Sequence, residues 1–187
     1  MDNQSKKRLF IALNIPKQVK QELIKVIEKL QVKNRGVKWV KADGLHLTLH
    51  FLGSLDENLT EQVKLSMQSF QGKFNQLQFQ LGKINAFPNL TRPRVIFIEC
   101  KQVDSKSVFK LQELLCEKLI KLGIGVDRRS WKPHLTLGRV KVPGDFRISS
   151  VLSFKLGTSF SIDSFELMQS TLNPGGAEYK EVISCKL

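Results

Sequence analysis

The chain has 187 residues, 41% of them apolar and 25% charged, enough to bury a core and too balanced for general disorder. No apolar run approaches the roughly 18 residues that a membrane-spanning helix needs, so the sequence predicts no membrane anchor. A formal net charge of +13 makes polyanions, nucleic acid first, the leading partner class, and basic surface decoration is the bland alternative.

In chain order, "RLFIAL" alternates and is β-rich, which predicts a first strand. Its apolar part is too short for a secretion-signal core, and Asn14 and Pro16 interrupt it. "IPKQVKQELIKVIEKLQ" follows, with Val19, Leu23, Val26, Ile27 and Leu30 at helical spacing and Pro16 at the start. "VKWVKADGLHLTLHFLG" reads as two extended pieces hinged at Asp43-Gly44, and "DENLTEQVKLSMQSFQG" as a helix capped by Asp56 and stopped by Gly72. "RPRVIFIEC" is a strand, "SKSVFKLQELLCEKLIKLG" an amphipathic helix ending at Gly123, and "WKPHLTLGRV" another strand. "SFSIDSFELMQSTL" gives two extended segments, "NPGG" a turn and "YKEVISCKL" a last strand. Cys100, Cys116 and Cys185 are odd in number and scattered, which fits buried thiols in a reducing cytoplasm better than a disulfide frame or a zinc knuckle.

Strand, helix, irregular basic stretch and HLTL strand therefore occur twice in the same order. Leu9 precedes His46 by 37 residues, and Ile96 precedes His134 by 38. No low-complexity linker separates the halves, so one α+β domain with two lobes is expected over 1–187.

Two of the three histidines, His46 and His134, open the same tetrapeptide HLTL, 88 residues apart. A second copy arises by chance in roughly one such chain in several hundred at ordinary residue frequencies. On a strand, Leu45, Leu47 and Leu49 point to one face and His46 and Thr48 to the other, about 7 Å apart. His134 and Thr136 repeat this. If the lobes face each other, two imidazoles and two hydroxyls converge on one cleft. A phosphodiester suits that set: in-line displacement needs a base on the attacking oxygen and an acid on the leaving oxygen, and imidazole serves either role near neutral pH. Threonine hydroxyls donate to the non-bridging oxygens. The residues alone do not say which imidazole is acid and which is base. No metal or cofactor is needed. His46 and His50 would stand about 13 Å apart on a strand, too far to share an ion. His50 has the parity of His46 and Thr48, yet its counterpart in the second half is Gly138, and it reads mainly as a strand-end residue.

"HLTLHFLG" and "PHLTLGRV", with "LFIALNIP" and "AFPNLTRPRVIFIEC", resemble the two-histidine phosphoesterases, and within them the RNA 2′,3′-cyclic phosphodiesterases, also called the 2′-5′ RNA ligase family. The likeness runs nearly end to end. It implies a bilobal α+β fold with a pseudo-two-fold repeat, two antiparallel sheets flanking a central cleft, and helices outside. It also implies hydrolysis of an RNA-terminal 2′,3′-cyclic phosphate to a 2′-phosphate. His46 would then be the proton donor to the leaving 3′-oxygen, His134 the acceptor that activates water, and Thr48 and Thr136 the phosphate holders. Reversal would give 2′-5′ ligation. The resemblance further places Arg139 in the cleft, although regular parity turns it away from Thr136. Phe51, its positional counterpart, reads as a stacking platform for a terminal base or as a core residue. Arg92, Arg94, Arg128, Arg129 and Lys132 read as phosphate-backbone contacts or solvated loop charge. The expected partner is RNA bearing a cyclic phosphate end, with no metal and no membrane, and the protein is expected to be a cytoplasmic monomer. A non-catalytic RNA-end binding module and a phosphodiesterase for 2′-5′ oligoadenylate or small cyclic nucleotides are the competing readings.

Overall fold

The computed structural model describes residues 6–103, 107–127, 129–141, 146–147, 154, 156–174 and 176–187. The expected strand-helix-strand unit appears as β1 (Lys7–Asn14), α1 (Lys17–Gln31), β2 (Val37–Trp39), a 3-10 turn (Ala42–Gly44) and β3 (His46–Leu55). Helix α1 buries the five apolar residues that its periodicity marks, and Pro16 stands at its N-cap, where no amide hydrogen is needed. The second helix, α2 (Glu57–Gln68), is capped by the Asp56 carboxylate, which accepts from the Leu59 amide at 2.8 Å. It ends four residues before Gly72. That glycine, at φ +71°, sits in the following turns and donates its amide to the Lys186 carbonyl, so it terminates the turn rather than the helix.

β4 (Leu77–Phe87) has no counterpart among the expected elements. It precedes β5 (Val95–Gln102), α3 (Ser107–Lys121) and β6 (His134–Val140), the second copy of the unit. Residues 105 and 106 of the expected third helix lie outside the described residues. Its end is as expected: Gly123 adopts φ +77°, and the Ile124 amide returns to the Leu119 carbonyl. The tail forms β7 (Ser159–Ile162), β8 (Ser164–Asn173) and β9 (Gly176–Lys186). Among the described residues no helix is long and apolar enough to cross a membrane. Cys100 and Cys185 are buried and Cys116 is half-buried, all three as free thiols.

All strand pairing is antiparallel, in the order β7-β4-β5-β6-β3-β1-β8-β9, with β2 added on β6. The two lobes are therefore β3-β1-β8-β9 and β6-β5-β4-β7, each started by an HLTL strand. They meet along β3 and β6 through the register pair Leu47–Leu135. C-terminal β8 and β9 return to the first lobe, so the lobes interleave along the chain. Both motif leucines at the seam are fully buried and belong to one apolar core shared by both lobes.

Glycine 138 shows why the second lobe differs in detail from the first. β2 lies across β6 at this point, and a Cβ on Gly138 would stand 2.7 Å from Val37 Cγ1 and 2.9 Å from Trp39 Cε3. Gly138→Ala is expected to cost about 1–3 kcal/mol, as overpacking against β2. Urea denaturation midpoints measure it, and an unchanged midpoint would contradict the close packing.

Candidate active site

The antiparallel seam carries the two motifs into one place. With Leu47 opposite Leu135, His46 lies across from Thr136, and Thr48 across from His134, all on the face opposite the buried leucines. His46 and His134 are then diagonal neighbours, about 7–8 Å apart between backbones. They line one cleft of about 1220 Å³ together with Thr48, Thr136, Phe51, Arg94, Arg129 and Arg139. Trp131 ties the approach to β6 onto the first motif, its indole N–H donating to the Thr48 carbonyl at 2.8 Å.

Each imidazole sits in an aromatic socket. His46 has Phe10 at 4.8 Å between ring centroids and the edge of Tyr179 at 5.2 Å. His134 has Phe87 and Phe97, each at 5.1 Å and steeply inclined. His134 Nδ1 lies 2.7 Å from the Lys132 carbonyl, a bond that assigns the proton to Nδ1 and leaves the Nε2 lone pair to face the cleft. His46 Nδ1 is buried near the Asp43 backbone without a hydrogen bond of normal geometry. Burial pulls the His46 pKa down to about 4, the Lys20 charge adds to the fall, and the Asp43 carbonyl opposes it. Burial also holds His134 below the ordinary histidine value, against the Lys132 carbonyl and with the help of the Arg139 charge.

Matching β-bulges set the side-chain directions downstream of each motif. β3 skips Leu49 in its register with β1, where Ile11 faces His50 and Ala12 faces Thr48. β6 skips Leu137 in its register with β5, where Ile96 faces Gly138 and Phe97 faces Thr136. The register thus equates Ile11, rather than Leu9, with Ile96. One extra residue reverses the parity downstream. Leu49 and His50 are consequently both buried, as are Leu137 and Gly138, while Phe51 and Arg139 return to the cleft face and are exposed. Regular alternation, which turns Arg139 away, fails for this reason. Phe51 is 63% exposed at the cleft and is not a core residue.

His50 lies within β3 rather than at a strand end. It is 3% exposed, its Nε2 lies 2.8 Å from the Gln112 carbonyl on α3, and both residues belong to the buried part of the cleft wall. The remaining basic residues divide. Arg94 and Lys132 line the cleft, and Arg92 does not. Arg129 lines it with its guanidinium clamped on the Asp127 carboxylate. Arg128 lies outside the described residues. Arg8 and Tyr179 are lining residues that the motifs do not point to. The only signal for them is parity on strands of unknown neighbourhood. Among the described residues, no three His, Cys, Asp or Glu side chains gather in a metal-holding group.

Known proteins resemble this chain in sequence and in fold. The family model described as LigT like Phosphoesterase matches residues 13–97. A Thermotoga maritima protein named RNA 2′,3′-cyclic phosphodiesterase is 30% identical over 96% of this chain and 95% of its own. A Methanocaldococcus jannaschii protein of the same name is 34% identical over 94% of this chain and 98% of its own. The crystal structure of a Thermus thermophilus protein superposes with a TM-score of 0.85 at 28% identity, covering 96% of this chain and 97% of that one. Escherichia coli LigT complexed with 3′-AMP shares the fold, with a TM-score of 0.80 at 21% identity over 97% and 98% of the two chains.

Proposed function

The chain belongs to the LigT-like phosphoesterases, in the family of RNA 2′,3′-cyclic phosphodiesterases, and from that premise we propose that its two HLTL strands perform the hydrolysis as an acid–base pair. The enzyme opens an RNA-terminal 2′,3′-cyclic phosphate. The observation that supports the pairing is the seam register, which sets both imidazoles and both threonines on one face within reach of one phosphorus.

His134 Nε2, left as a lone pair by the Nδ1 bond to Lys132, takes a proton from water as the oxygen attacks phosphorus. The 3′-oxygen leaves in line on the far side and receives a proton from His46. The product is a 2′-phosphate and a free 3′-hydroxyl, and solvent exchange returns both imidazoles to their starting states. Thr48 and Thr136 donate to the non-bridging oxygens, and Arg139, brought forward by the bulge, adds a positive charge. With a 5′-hydroxyl attacking in place of water, the same forward steps release the 3′-hydroxyl and leave a 2′-5′ phosphodiester, which is the source of ligation. Every residue of this set comes from one chain, so a monomer suffices. The free thiols fit a cytoplasmic role in RNA end processing. An RNA-end binding module needs no acid–base pair, and the named relatives do not favour it.

The reaction is tested by incubating a cyclic-phosphate-ended RNA in EDTA and identifying the product. A 2′-phosphate formed at the rate seen without chelator is the expected result. A 3′-phosphate, no product, or loss of turnover in EDTA contradicts the scheme.

The pKa directions set the pH profile. Activity needs His46 protonated and His134 neutral, and both free-protein values lie below 6.5, His46 at about 4. Raising the pH above both values removes the acid, while lowering it below both removes the base. The bell of kcat/KM, which reports the free enzyme, is therefore expected to peak between about 4 and 6.5 and to fall with unit slope at higher pH. The bound anion favours imidazolium, so the kcat profile lies to the alkaline side. A kcat/KM optimum above pH 7 contradicts the burial argument.

A further inference from the structure

The cleft extends well beyond the phosphate-sized space between the motifs, and it extends over both lobes. On the first lobe, β1 brings Arg8 and Phe10 to the cleft, while Leu9, Ile11 and Leu13 enter the core. Phe51, Phe10 and Tyr179 form a continuous aromatic floor beside His46, with ring centroids 6.1 and 5.6 Å apart. Arg8 lies one two-residue step, about 7 Å, further along β1. It is flanked by Gly53 of β3 and by Ser170 and Leu172 of β8, and Leu172 is 67% exposed. Arg8 is exposed and makes no ion pair among the described residues. Among the described residues Asp127 is the sole carboxylate lining the cleft, and it is already clamped by Arg129. The second lobe offers a mirror surface, with Arg94, Phe87 and Pro88 beside His134. Two surfaces of similar chemistry therefore compete for the body of the RNA.

The stereochemistry of displacement decides between them. The leaving 3′-oxygen belongs to the terminal ribose, and it departs opposite the attacking water. Water is activated at His134, so the ribose must stand on the His46 side. The chain preceding that ribose continues through its 5′-oxygen, and on that side the cleft continues over β1 and β8.

We propose that the RNA body leaves the active site over the first lobe, with the terminal base on Phe51 and the phosphate preceding the terminal nucleotide held by Arg8. This makes Arg8 a specificity-determining residue for oligonucleotides over mononucleotides. The inference rests on the acid and base assignment given under the proposed function. A cation with no competing carboxylate, next to exposed apolar surface, matches a phosphate followed by a base.

The test compares kcat/KM for the dinucleotide ApA carrying a 2′,3′-cyclic phosphate with that for adenosine 2′,3′-cyclic monophosphate. The wild-type protein is expected to favour the dinucleotide by about tenfold, the worth of one charge-assisted phosphate contact. Arg8→Ala is expected to collapse that ratio to about twofold or less and to flatten the salt dependence on the dinucleotide by a log–log slope of about 0.7. Arg8→Lys restores part of the ratio, whereas Arg94→Ala lowers both substrates alike. Equal use of both substrates by the wild type, or a ratio unmoved by Arg8→Ala, overturns the proposed path while leaving the reaction intact. A ratio abolished by Arg94→Ala instead reverses the polarity and exchanges the roles of the two histidines. A wild-type protein that turns over neither substrate overturns the reaction itself, and the path with it.

Discussion

Replacing either His46 or His134 with alanine is expected to lower kcat on a cyclic-phosphate-ended RNA by on the order of a hundredfold or more. The two serve one transition state: His134 takes a proton on one side of the phosphorus while His46 gives one on the other. Neither transfer helps much without its partner, so the double variant is expected to be little slower than the slower single one. Full additivity would mean two independent functions. His50→Gln supplies the contrast. That ring is buried against the Gln112 carbonyl, so the change is expected to lower stability and leave the turnover of folded protein near normal. The experiment is steady-state kinetics on all four variants, with folding checked by circular dichroism. Near-normal rates for both alanine variants would remove the histidines from the chemistry.

Leu47→Ala is expected to cost about 2–5 kcal/mol of stability, the range for a fully buried leucine truncated in a core that collapses only partly. Leu47 has no exposed surface and is the first-lobe member of the register pair joining β3 to β6. The cavity opens directly beneath the catalytic seam. The variant should therefore also lose activity under conditions where it remains folded, because a relaxed seam shifts His46 and Thr48 against His134 and Thr136. Denaturant unfolding monitored by tryptophan fluorescence measures the first effect. Trp131 spans the seam to the Thr48 carbonyl and makes a local probe. A loss below about 1 kcal/mol would show that the leucine is not a structural member of a tightly packed joint.

Much of the fold is legible in the sequence because most elements obey a single period. Val19, Leu23, Val26, Ile27 and Leu30 mark the inner face of α1, and all five are buried. The alternation of Leu45, Leu47 and Leu49 against His46 and Thr48 gives the two faces of β3. The duplicated HLTL gives the acid–base candidates, because it repeats a scarce residue type at matching points of two matching units.

The remainder is hidden where one residue breaks the period. The bulges at Leu49–His50 and Leu137–Gly138 change no composition and invert parity, and so conceal Arg139. A faint trace exists in the buried leucines of β3, which step from 49 to 52 instead of 51. β4 is obscured in the same way. Its alternation through Leu77, Phe79 and Leu81 breaks at a register shift before Ile84. Arg8 and Tyr179 carry no local mark beyond strand parity. They reach the cleft because β8 and β9 return to β1 from the far end of the chain, a pairing that no window of sequence contains.

The central claim, that imidazoles from both lobes bracket one phosphorus, is tested most directly by a crystal structure with a nucleoside–vanadate complex, whose trigonal bipyramid mimics the in-line transition state. The account predicts His46 Nε2 and His134 Nε2 each within hydrogen-bond distance, about 2.6–3.2 Å, of opposite apical oxygens, with the ribose oxygen on the His46 side. Vanadate held by one imidazole alone, or both rings on the same apical oxygen, would contradict it.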